Sequence, residues 1–171
     1  MKKMLITMTA LIFSMGVGLA QKYAFVDTEY ILSNIPTYQA AQDQLDQFSK
    51  EWEQEISALY TEVEKMYREY QSEEVLLTQE MKRKREDAII TAEKEAKELQ
   101  NKYFGREGDL FKKRQELIKP IQDEVYNAVK EIAVEGNYAV IFDTSSGPSL
   151  LYTNPRYDLS DDVLEKLGYK N

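Results

Sequence analysis

The chain has 171 residues, enough for one domain or one domain with an extension, and carries 30 acidic against 22 basic residues for a formal charge of −8. It contains no histidine and no cysteine, which removes the commonest general base, a leading metal ligand and any disulfide staple, so zinc sites and serine or cysteine triads of the usual kind are excluded. Acidic charge argues against nucleic-acid binding, and no GxxxxGK or GxGxxG phosphate loop is present, so the chain reads as a binding or structural protein, not an enzyme, with no cofactor and no metal.

Residues 1–20 carry Lys2 and Lys3, an apolar run from Met4 to Phe13, and small residues ending at Gly18-Leu19-Ala20. This is the charged, apolar and cleavage-site order of a secretory signal peptide. The run is short of the roughly 20 residues needed to span a bilayer. Without cysteine, a lipoprotein anchor at this site is excluded. Cleavage after Ala20 leaves Gln21 at the mature N-terminus, and loss of Lys2 and Lys3 takes the charge from −8 to −10.

Lys22 to Asp27 read KYAFVD and predict a strand. Tyr30-Ile31-Leu32 form a further apolar patch, after which Asn34 and Pro36 signal a helix start, with Thr37 or Asn34 as its cap. Apolar residues then recur at Ala41, Leu45, Phe48, Trp52, Ile56, Leu59, Val63, Met66 and Tyr70, in steps of three and four. That is a coiled-coil seam with one stutter between Trp52 and Ile56. From Thr37 to Gln71 there is neither glycine nor proline, which predicts one unbroken helix of about 50 Å.

The pattern fails over residues 73–78 and resumes from Met81 through Ala88, Ala92, Ala96, Leu99 and Tyr103, with Thr78 as N-cap. A helical hairpin over 36–119 follows, its tip near 75–78. A tip at Leu77 brings Pro36 opposite Ile118, beside the kink expected at Pro120. Gly105 and Gly108 fall inside the return helix and oppose Leu45 to Phe48. The preferred reading is that small residues make room for bulky ones; a local break or hinge is the alternative.

Ile121, Val125, Val129 and Ile132 continue a helix to Gly136, read as its C′ residue. Tyr138 to Asp143 predict a buried strand and Leu150 to Thr153 another, joined through Ser145-Ser146-Gly147-Pro148. A last helix starts at Ser160 and ends near Lys166 and Gly168. The fold class is therefore α+β, mostly α: a small strand-rich body from 21–35 and 120–171, with a long projecting antiparallel coiled-coil hairpin. A sheet this small is marginal alone, so the body is expected to close by oligomerisation through Phe25, Val26, Val140, Ile141, Phe142, Leu150 and Leu151.

The opening YAFVDTEYIL, the charged hairpin, the stretch ELIKPIQDEVYNAVKEIAVEGNYAVIFDTS, the short LLYTNP and the closing DLSDDVLEKL occur in that order. Together they resemble the Skp/OmpH family of periplasmic chaperones over essentially the whole mature chain. The resemblance implies a homotrimer whose helical tentacles enclose unfolded outer-membrane proteins without ATP, in the periplasm of a Gram-negative bacterium. The best-known members are strongly basic, whereas this chain is acidic, so local basic patches would matter more than net charge.

Tyr60 and Tyr67 widen the outgoing seam into a face of Ile56, Leu59, Tyr60, Val63, Met66, Tyr67 and Tyr70. Large knobs over the alanines of the return arm account for most of that face; the sharper reading has Tyr60 and Tyr67 contacting clients. Val75, Leu76, Leu77 and Met81 extend the candidate client surface to the tip, where part of the run Val75-Leu76-Leu77 closes the hairpin end against Met81. The basic patch Lys82, Arg83, Lys84 and Arg85 reads as a solvated face, or as a contact for acidic client segments or anionic lipid. The competing function is a structural coiled-coil spacer or adaptor of an envelope complex that docks through its tip.

Overall fold

A computed structural model describes residues 21–145, 147 and 150–169. The predicted leader of residues 1–20 lies outside the described residues, as do Ser146 and Pro148 of the predicted connection. The elements in order are β1 (Lys22–Val26), α1 (Thr28–Ser33), α2 (Pro36–Glu73), a 3-10 turn (Glu74–Leu76), α3 (Gln79–Phe104), α4 (Asp109–Leu117), α5 (Lys119–Glu135), β2 (Tyr138–Asp143), a second 3-10 turn (Pro155–Tyr157) and α6 (Ser160–Lys166). The fold is α+β and mostly helical, with a long helical hairpin and one two-stranded sheet. Two compact units share the chain: Leu32–Val125 form one, and the described residues up to Ile31 and from Tyr126 form the other.

In the sheet unit β1 and β2 run parallel, with Tyr23 opposite Val140, Ala24 opposite Ile141 and Phe25 opposite Phe142. Parallel strands need a crossover, and here it contains the whole hairpin. Side chains alternate between the two faces of a strand. On one face Ala24 and Val26 are buried. On the other, Tyr23, Val140 and Phe142 remain about half exposed, although Phe25 stacks on Phe142 at 5.8 Å and Tyr23 meets Tyr157 at 5.7 Å. The expectation of a buried second strand therefore fails among the described residues, which cover this apolar face only in part.

The predicted strand at Leu150–Thr153 is absent. One edge of β1 is taken by β2, and the other by a bridge from Phe25 to Asp158, where the Leu159 N–H donates to the Phe25 carbonyl at 2.9 Å. That leaves residues 150–153 no free edge of β1, and Leu151 and Tyr152 stand exposed. The outer edge of β2 has no strand partner among the described residues.

Polar caps tie the strand ends to the helices. Asp27 caps α1 by accepting from the Tyr30 N–H at 2.9 Å, and its own N–H donates to the Ser160 hydroxyl at 2.8 Å. Asp143 accepts from the Thr28 hydroxyl at 2.7 Å, the Thr28 N–H at 3.2 Å, and both the N–H and hydroxyl of Ser145. At the end of α5 the left-handed residue is Asn137 (φ 52), not Gly136. Gly136 keeps a helical bond to Ile132, and a Cβ there would meet the Tyr138 ring at 2.3 Å. Gly168 (φ 80) does close α6 in the left-handed conformation, with Tyr169 N–H bonded back to Leu164.

The long helix α2 has 38 residues, about 57 Å at 1.5 Å per residue. Its cap is Ile35 rather than Asn34 or Thr37, in extended conformation (φ −98, ψ 112) as the residue before a proline prefers. Near the hairpin base Ala41, Leu45 and Ile118 form a buried cluster with Tyr38, Leu110, Leu117 and Ile121 packed on it. Ile118 thus shares a buried cluster with Ala41 and Leu45, at the base of the outgoing helix.

Burial pushes the Asp143 carboxyl upward, but hydrogen bonds from Thr28 and Ser145 outweigh it and hold the group below its ordinary value. A depressed folded value means the contribution is present above the unfolded range of about pH 4 and is lost as pH falls through the lower folded value. Asp143→Asn should cost on the order of 1 kcal/mol near neutral pH, the scale of a lost cap. In acid-unfolding titrations the gap between variant and wild type should close below about pH 4.

Candidate functional site

The hairpin unit is held by one seam. All nine predicted α2 positions, from Ala41 to Tyr70, are buried or half-buried. On α3 the facing stripe is Ile89, Ala92, Ala96, Leu99 and Tyr103 at regular steps of three and four; Ala88, expected in it, is exposed. The pair Ile89-Ile90 explains the difference. Adjacent helical residues point about 100° apart, so only one can enter the seam. Ile89 does so, and Ile90 is left exposed.

Thr78 caps α3 by accepting from the Met81 N–H at 3.3 Å. Polar pairs across the hairpin are Arg85 with Glu73 (3.2 Å), Lys82 with Glu74 (3.3 Å), Tyr70 with Glu86, Tyr60 with Gln100 (3.3 Å) and Tyr103 with Glu55 (2.7 Å). These pairings centre near Thr78 to Gln79, just past the expected tip at Leu77. The Tyr70 phenol is pushed up to about 12 by its hydrogen bond to Glu86, and Tyr103 is raised likewise by Glu55. Both phenols stay protonated at ordinary pH and act as donors, not nucleophiles.

Gly105 and Gly108 do not make room for bulky residues in a continuous helix. The helix stops at Phe104, residues 105–108 are non-helical, and α4 starts at Asp109. A Cβ on Gly105 would sit 2.3 Å from the Asn101 carbonyl oxygen. One on Gly108 would fall within 3 Å of three backbone atoms. Close backbone approach, which only glycine permits, is the reason for both residues.

Directly before the break lies a stack of rings. Phe48 stacks on Trp52 at 5.5 Å, Trp52 lies nearly parallel on Tyr103 at 4.7 Å, and Phe104 meets Trp52 edge-on at 6.4 Å. Lys113 sits 5.6 Å over the Phe48 ring from beyond the break. Pro120 falls in the first turn of α5, after a one-residue interruption at Ile118.

Apolar groups outside the seam form the candidate site. Tyr60 and Tyr67, seven residues apart on one flank of α2, are 41% and 50% exposed. At the tip Val75 is 92% exposed and Leu76 86%, Met81 is half exposed, and only Leu77 is partly covered. So Val75 and Leu76 do not close the hairpin end. The Glu73–Arg85 and Glu74–Lys82 pairs bridge it instead, while Arg83 and Lys84 form no ion pair among the described residues. Ile90 and Phe111 add exposed apolar surface that the periodicity reading missed. Of the predicted oligomerisation residues, Phe25, Val26, Val140, Ile141 and Phe142 lie in the sheet, whereas Leu150 and Leu151 are exposed outside it. No cluster of potential metal ligands occurs among the described residues, and no helix there is long and apolar enough to cross a membrane.

The family model described as outer membrane protein (OmpH-like) matches residues 22–167. A crystal structure from Caulobacter crescentus CB15, provisionally described as an OmpH-like outer membrane chaperone, is similar with a TM-score of 0.65 at 10% identity, over 88% of this chain and 86% of the other. No curated protein gives a significant match by sequence.

Val75→Ser with Leu76→Ser should change stability by no more than about 0.5 kcal/mol, as surface positions do. Ile89→Ala, in the seam, should cost about 2 kcal/mol or more. Denaturant unfolding of the two variants reads the difference.

Proposed function

The chain belongs to the OmpH-like family of outer membrane proteins, and on that premise we propose that it is a chaperone: an ATP-independent holdase of the Gram-negative periplasm that keeps unfolded outer-membrane proteins from aggregating. The observation that carries this reading is the apolar surface left outside the hairpin seam, with Tyr60 and Tyr67 on one flank and Val75 and Leu76 at the tip. Each such residue offers a small contact to any unfolded segment. Tyrosine suits the task, because its ring meets apolar side chains while its hydroxyl accepts polar ones. Many weak contacts give retention without fixed sequence preference, and they allow release once the client reaches a better state in the membrane.

The uncovered sheet face of Tyr23, Phe25, Val140 and Phe142, together with the open edge of β2, supports a homotrimer in which copies cover each other's apolar surface. Arg83 and Lys84 beside the apolar tip suit acidic client segments or anionic lipid headgroups. A second reading, an adaptor docking a folded envelope complex by its tip, draws on the near-complete exposure of Val75 and Leu76.

The discriminating experiment adds the protein to urea-unfolded outer-membrane barrels diluted without nucleotide. Aggregation should be suppressed at a fixed trimer-to-client ratio, and Tyr60→Ser with Tyr67→Ser should raise the amount required several-fold. Suppression unchanged by that double variant removes the tyrosine assignment. No suppression by the wild type, with partner capture lost only on making Val75 and Leu76 polar, would establish the adaptor.

A further inference from the structure

Gln21 stands at the junction of two features. It follows the small residues Gly18-Leu19-Ala20 in the sequence, and it lies exposed one residue before β1, outside the register that starts at Lys22 opposite Tyr138. We infer that Gln21 is a modification site: on export and cleavage after Ala20, its new α-amine closes on its own side chain to give N-terminal pyroglutamate. The inference rests on the export reading proposed above.

The chemistry is intramolecular and balanced. The neutral α-amine attacks the side-chain amide carbon Cδ, the N–Cδ bond forms and the Cδ–Nε2 bond breaks. Ammonia leaves with the proton released by the attacking amine. No oxidant, reductant or co-reactant is needed, and a cyclase would only accelerate the step. The five-membered ring puts nucleophile and carbonyl in reach without loss of translational freedom. An α-amino group has an ordinary pKa of about 7.7 to 8.0, so a usable fraction is neutral at physiological pH. Gln21 is exposed, and its side chain has no hydrogen-bond partner among the described residues to hold it away from its own amine.

The product suits its position. Lys22 places its ammonium 3.2 Å from the Gly136 carbonyl oxygen and 5.8 Å from the Tyr138 ring centroid. An uncyclised Gln21 would add a second positive charge directly beside it. The lactam removes that charge and leaves no primary amine for an aminopeptidase. Trimming beyond Gln21 would consume Lys22 and Tyr23, the first residues of a strand on which the sheet depends.

The test expresses the full chain with its own first twenty residues in an exporting Gram-negative host and takes the intact mass of the purified periplasmic protein. The expected product is residues 21–171 lighter by one ammonia, blocked to stepwise N-terminal degradation and opened by pyroglutamyl aminopeptidase. Residues 21–171 at full mass with a free amine, persisting after long incubation, would overturn the inference and leave the export reading standing. A periplasmic protein cut elsewhere overturns the inference alone, whereas an uncleaved chain that never reaches the periplasm overturns both. Gln21→Asn supplies the control: its shorter side chain would need a four-membered ring, so the same cut should leave a free amine that aminopeptidases trim.

Discussion

A two-helix hairpin can bury only one stripe from each helix, and that constraint governs the rest of this molecule. The stripe on α2 is mostly large side chains, whereas the stripe on α3 mixes the large Ile89, Leu99 and Tyr103 with the small Ala92 and Ala96. Everything outside the stripe faces water. Most of it is charged, as a surface helix requires. The exceptions are Tyr60, Tyr67, Ile90, Val75 and Leu76, which stay exposed even though the Tyr60 hydroxyl bonds Gln100 across the hairpin. Apolar surface left exposed beside the seam is available for binding.

The return arm is not a uniform rod. The glycine break at 105–108 ends α3 where the rings of Phe48, Trp52 and Tyr103 are stacked, and α4 restarts with Asp109 in its first turn. Stacked aromatics contribute beyond their buried area, on the order of 0.5–1.5 kcal/mol per pair. The seam is therefore reinforced just where helical hydrogen bonding stops. The sheet unit meets a different limit. With two strands and one covered face, it leaves Tyr23, Val140 and Phe142 half in water, which a lone domain of this size would not be expected to retain.

Much of this was legible in the sequence, because helical periodicity is a local signal. The α2 seam, the Thr78 cap and the turn at 74–77 follow from spacing and residue type alone. Other features depend on partners distant in sequence. Residues 150–153 have strand-like composition, but composition does not provide a pairing partner, and they join neither edge of the sheet. Composition marked Gly105 and Gly108 as costly in a helix without revealing that the helix ends there. The choice of Ile89 over Ala88 for the seam was set by the phase after the tip. Of the candidate site, the identities of Tyr60, Tyr67 and the tip residues were readable. Their exposure was not, because periodicity alone cannot separate a wide buried face from a narrow seam with free flanks.

In the proposed holdase, the apolar groups outside the seam are what an unfolded client touches. Photo-crosslinking tests this most directly, with a photoreactive side chain placed singly at Tyr60, Tyr67, Leu76 or Lys65, the last of which lies in an exposed ion pair with Glu62. Mixed with an unfolded outer-membrane protein, the first three positions should capture client efficiently and Lys65 weakly. Equal capture at all four, or capture confined to Lys65, would contradict it.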